Sequence, residues 1–203
     1  MLPLLLAVAL AVPREVERVL ALVNGVPVLA SDVELAEIAQ LVPAEKDESE
    51  GEQRRAVVEA LVALELRWQD LRAAGVVQRL EVDETHAWQV VVERAGGGEV
   101  VAARLASAGL GEPLLRELVR RAAVIEAYVA GRFAPFVRPS TEEVERAFRE
   151  ELLPSLPAGT PAPDLKAVRP QLEALLRERK LIAEVERWTR DLEARGEVVR
   201  YLR

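Results

Sequence analysis

The chain of 203 residues contains no cysteine. Disulfides, thiolate-bound metals and a cysteine nucleophile are therefore excluded. There is one histidine, His86. A catalytic or metal-bound histidine needs partners drawn from His, Cys, Asp and Glu. With no second His and no Cys, His86 in Thr85-His86-Ala87-Trp88 reads as a helix-start or surface residue. Aromatic residues make up only 4% of the chain, so its core must be built mainly from Leu, Val and Ala. Positive charge is not in excess: the net charge is −7. Nucleic acid is thus excluded as the main partner, since phosphate binding needs clustered Lys and Arg. No G-x-S-x-G, Walker or Rossmann pattern occurs. Gly96-Gly97-Gly98 is not followed by Gly-Lys-Ser/Thr and reads as an interhelical turn. No catalytic, cofactor-binding or metal-ligating residue is identified, and no cofactor is implied.

The residues that are abundant favour helix. Half the chain is hydrophobic and 30% is charged, with Ala, Leu, Arg and Glu prominent, all good helix formers. Glu and Arg interleave, as in Glu142-Glu143-Val144-Glu145-Arg146, which reads as solvated helix faces with i,i+4 pairs. Leu2 to Val12 is apolar apart from Pro3. It is too short to cross a bilayer, which takes about 20 helical residues. Ala9-Leu10-Ala11 has the small-x-small pattern of a signal-peptidase site, although no Lys or Arg precedes the apolar run. Residues 1–12 are therefore expected to be a signal peptide.

Val19 to Val23 and Val26 to Leu29 are expected to pair as a hairpin. Asn24-Gly25 is the preferred pair for a type I′ turn, and Pro27, which lacks an N–H, places its strand at an edge. Ser31-Asp32-Val33-Glu34 reads as a capping box with Ser31 as N-cap, opening a helix to about Val42. Pro43 to Gly51 is expected to be a loop. The spacing of Val57, Leu61, Leu64, Trp68 and Leu71 predicts a helix over about 52–74. Further helices are expected from Asp83 to Arg94, from Val100 to Ala108 and from Glu112 to Phe133. Another opens at a capping box on Ser140. Pro154 to Pro163, with four prolines, reads as a linker. The last helix is expected over about 164–195, with Leu181, Val185, Trp188 and Leu192 on its distal stripe and Pro170 as a source of kinking. Val198 to Leu202 has strand character. A lone strand needs a partner, so the chain ends are expected to meet in one small sheet. The fold class is all-α, with a small sheet joining N- and C-terminal segments.

The order of these pieces resembles a known family. Val16-Glu17-Arg18-Val19-Leu20-Ala21-Leu22-Val23-Asn24-Gly25, the return strand and Ser31-Asp32-Val33 resemble the opening of SurA-type periplasmic chaperones. Ala60 to Gln69 followed by Ala74-Gly75-Val76, then Val82-Asp83-Glu84, Leu118 to Ile125 and Pro139-Ser140-Thr141-Glu142-Glu143-Val144 look like later motifs of that family, in the same order. Lys180 to Trp188 and Val198 to Leu202 look like its closing helix and strand. The likeness covers nearly the whole chain after residue 15. It implies a core of the SurA N-terminal, trigger-factor C-terminal kind, with helices over 16–153 and residues 164–203 packed back on them. One departure is decisive. Family members usually carry one or two parvulin isomerase domains between the Glu-Glu-Val helix and the last helix. Here the Pro-rich linker 154–163 stands in that place, too short to fold as a domain. The resemblance thus implies a chaperone core without prolyl-isomerase activity.

What this implies is an ATP-independent holdase of the periplasm or cell envelope, whose partners are unfolded exported or outer-membrane polypeptides. The membrane would be met only through the transient signal segment. Phe133 and Phe136 are candidates for the lip of a client groove, as are Leu110 and Leu114, against the alternative that the two phenylalanines staple the next helix. A helical scaffold dedicated to one envelope-assembly partner is the competing reading, and an enzyme a third. A homodimer, through the groove or by exchange of the last helix, is compatible with the sequence.

Overall fold

The structure is a computed structural model that describes residues 17–43, 48–157 and 159–201; the expected signal peptide lies outside them. Strand β1 (Val19–Val23) turns into β2 (Val26–Leu29). Asn24 and Gly25 both have positive φ, 50° and 81°, as a type I′ turn requires. The third strand, β3 (Val198–Arg200), lies antiparallel to β1 on its other side, and the order β2-β1-β3 leaves Pro27 on an edge strand. The two ends of the chain therefore meet, as expected.

Helix α1 (Ala30–Ile38) starts earlier than the Ser31 capping box predicts. Asp32, not Ser31, serves the helix start: its carboxylate accepts from the N–H of Leu29 at 2.8 Å, while the N–H of Ser31 donates to Glu17. The β2 strand runs straight into the helix, so the cap is set by where the strand ends. The helix also stops four residues before Val42. Gln40 takes a left-handed conformation (φ 49°), and Gln40 and Leu41 donate to Glu37 and Ala36, the two bonds of a Schellman ending. Helix α2 (Glu50–Ala73) opens with a box that the sequence reading did not find: Ser49 accepts from Glu52, and Glu52 accepts back.

Then follow α3 (Glu84–Arg94), capped by Asp83, α4 (Gly98–Ala108) and α5 (Glu112–Arg132). Gly98 belongs to α4 rather than to the turn. The predicted apolar stripe of α2 is buried throughout. It joins two clusters: Val57 and Leu61 meet the sheet and Leu192, while Leu64, Trp68 and Leu71 meet Val124 and Ile125 of α5. A third cluster unites Leu35, Val91, Val101, Leu105 and Leu115 from α1, α3, α4 and α5.

Helix α6 (Thr141–Ala147) is capped by the predicted Ser140–Glu143 box. It continues through a π-helical turn (Phe148–Leu152), in which the N–H of Leu153 donates to Phe148, and a last turn (Leu153–Ser155). Pro154 thus ends a helix rather than starting a linker. Its ring has no N–H and crowds the carbonyl four residues back, a conflict the wider turn relieves. Helix α7 (Leu165–Arg195), with Pro170 inside it, divides its packing. Leu172 packs with Val144 and Ala147 of α6, and with Phe148 and Leu152 beyond it, in a separate small core, whereas Leu192 enters the main core. The C-terminal half of α7 thus folds back on the early helices, and the N-terminal half pairs with α6.

Candidate functional site

The long helix α5 carries alanine at 122, 123, 127 and 130. Alanine favours helix but projects a single carbon, so it leaves room against α3 where larger side chains would close the gap. The result is an open groove of about 480 Å³ with Val90 and Val91 on its α3 wall and Leu118, Val119 and the alanines on its α5 wall. Val90 is 41% exposed. Glu81, Asp83, Glu126 and Arg94 are among its lining residues, together with His86. The backbone N–H of His86 donates to Asp83, which fixes the helix start. Among the described residues no group of three or more His, Cys, Asp and Glu side chains is arranged to hold a metal. Such a groove can desolvate an apolar segment and offers little to select its sequence.

A polar tie holds the end of β1, α2 and α5 together. Glu65 is 8% exposed. It accepts from Arg121 (3.2 Å) and from Gln69 (2.8 Å). Gln69 also donates to the carbonyl of Val23 and accepts from the side chain of Asn24 at 2.8 Å. Arg120 and Arg121 share Glu117 and lie over the ring of Trp68. Hydrogen bonding from Arg120 and Arg121 holds the Glu117 carboxyl below the usual carboxylate range. These charges are mutually satisfied, and their role is to fix the elements.

No protein-family model matches the chain, and no curated protein matches it either. The site is therefore read from its own geometry.

The four residues singled out in the sequence fall in different places. Phe133 stacks with Tyr128 and Trp188, ring centroids 6.0 and 5.7 Å away, and Trp188 donates to Asp70. It thereby staples α7 to α2 and α5. Phe136 is 76% exposed in a 3-10 turn just past α5. Leu110 packs into the α3–α4–α5 cluster, and Leu114 is 54% exposed in the first turn of α5. Leu114 and Phe136 sit at opposite ends of a 21-residue helix, roughly 30 Å apart at 1.5 Å per residue. One short groove cannot be lined by both. The α3–α5 groove was not read from the sequence. Its trace was the run of alanines on α5, which helix propensity alone had already explained.

Proposed function

We propose that the protein is an ATP-independent holdase that shields extended apolar segments of unfolded clients in the cell envelope. The observation that carries this reading is the open, alanine-floored groove between α3 and α5. A client side chain placed there leaves water, gaining about 25 cal/mol for each Å² of apolar surface buried. The gain is offset by ordering the client, so each contact is weak and reversible. Capture needs no nucleotide, because binding of the unfolded state lowers its free concentration by mass action. Exposed Phe136, Leu114 and Ile182 (76%, 54% and 52%) supply further apolar contacts for a client long enough to reach several of them. No described helix is long and apolar enough to cross a membrane.

The test is light scattering of several unrelated, chemically denatured proteins diluted into buffer with and without this protein. Wild type is expected to suppress scattering of all of them. The pair Val90→Glu and Ala127→Glu, at exposed and half-buried groove positions, is expected to need several-fold more protein for the same suppression, with an unchanged circular-dichroism spectrum. Failure of wild type to suppress any client sinks the proposal. Suppression confined to one client assigns the protein to the dedicated-adaptor reading.

A further inference from the structure

A cavity of about 690 Å³ lies away from the groove, where β1 meets the first turns of α2 and the end of β3. Its floor is apolar: Leu20 and Leu22 of β1, with Tyr201 beside them. Its rim carries three guanidinium groups, from Arg18, Arg54 and Arg55. The chain as a whole has net charge −7, and some of its arginines are tied to carboxylates, as Arg200 is to both Glu59 and Glu193. The three rim arginines are gathered around one recess. Among the described residues none of them makes an ion pair or a side-chain hydrogen bond, although Glu52 lies close enough to Arg55 for its field to be felt. Guanidinium groups left without carboxylates, around an apolar floor, complement a ligand that is itself anionic and apolar.

We propose that this cavity is a second client site, selective for polypeptide segments in which a large apolar side chain is flanked by Asp or Glu. The apolar side chain would occupy the floor, where Tyr201 is 50% exposed and has an open face to offer. The flanking carboxylates would each meet an arginine on the rim. The assignment rests on the holdase reading and adds charge selectivity to it: the α3–α5 groove takes apolar sequence of any charge, and this cavity takes the acidic ones. A concave recess of this volume suits a few residues of a peptide rather than a flat membrane surface, to which its floor could not be applied.

The experiment is fluorescence anisotropy with the full chain and a labelled peptide of sequence type Asp-Glu-Phe-Glu-Asp, against the same peptide with Asn and Gln in place of the acids. The acidic peptide should bind, its affinity falling as salt is raised, and the amide peptide should bind several-fold more weakly. The double variant R54Q/R55Q should bind the acidic peptide about tenfold more weakly, as two contacts each losing about threefold would give. Its thermal melt and its suppression of scattering by a client poor in Asp and Glu should match wild type. Equal binding of the two peptides, or an unchanged affinity in R54Q/R55Q, overturns the proposal. So does binding of anionic vesicles that depends on the same arginines while the peptide is ignored. Loss of both peptide binding and scattering suppression in wild type would instead remove the holdase reading itself.

Discussion

Gly196→Ala tests the closure of the chain ends on which the whole fold depends. Gly196 has φ −102°, a value open to any residue, so alanine brings no backbone strain. Its cost comes from space. A Cβ there would lie 2.8 Å from Oδ1 of Asn24, and 3.2 Å from both its Nδ2 and the carbonyl of Leu192. Asn24 cannot step aside freely. Its Oδ1 accepts from the N–H of Glu197 at 2.8 Å, and its Nδ2 donates to Gln69 at 2.8 Å. Displacing it breaks both bonds, each worth about 0.5–1.5 kcal/mol net. Against this, alanine stabilises by about 0.4–1 kcal/mol through the unfolded chain. The expected net loss is therefore about 1–2 kcal/mol, a fall of about 2–4 °C in Tm per kcal/mol for a chain of this size. Urea melts followed by circular dichroism measure it. Asn24→Gly keeps the positive φ of the turn and removes the obstructing side chain. In that background Gly196→Ala should cost only the closer approach to Leu192, so the double-mutant cycle should return most of the penalty as coupling. A neutral or stabilising Gly196→Ala, or a cycle without coupling, refutes the reasoning.

Trp188→Ala removes the ring that packs on Tyr128 and Phe133 and donates to Asp70. A loss of about 3 kcal/mol is expected, the low end for such truncations because the ring is only half-buried, with hydrogen exchange of 181–195 quickening first. Ser140→Ala deletes one half of the capping box of α6 and should cost about 1 kcal/mol, read as faster amide exchange over 141–147 with the sheet unaffected. Asp32 gives a pH signature. Burial raises its pKa above the ordinary 3.8, with Glu17 adding to the rise and the Leu29 N–H and Arg121 opposing it. The native state therefore takes up this proton at higher pH than the unfolded chain. Asp32 costs stability above its folded pKa, and the cost fades as pH falls towards 3.8. Asp32→Asn, which can still accept from Leu29, should match or exceed wild type in thermal melts at neutral pH and lose that advantage below about pH 4. A variant less stable than wild type at neutral pH would show that the ionised form is favoured.

Several local features were legible because their causes are local. Asn24-Gly25 sets its own left-handed turn, Pro27 cannot donate into a central strand, and Asp83 and Ser140 carry their acceptors three residues before the N–H groups they meet. The failures have equally specific reasons. Ser31 has the composition of a cap, yet the strand before it continues to Leu29, so the helix start and its cap fall to other residues. The π turn before Pro154 answers a conflict that no propensity records. Between a groove lip and a staple, Phe133 could not be assigned from the sequence, because its partners, Tyr128 and Trp188, are 5 and 55 residues away.

The sequence alone determined the helical class, the hairpin, the apolar stripe of α2 and the meeting of the chain ends, since each follows from periodicity, turn chemistry or a strand's need for a partner. Only the tertiary structure decided where surface was left uncovered. The α3–α5 groove and the arginine-rimmed cavity are gaps between elements distant in sequence. A gap depends on what fails to touch, and a pattern of residues along one chain describes only what each segment is able to bury.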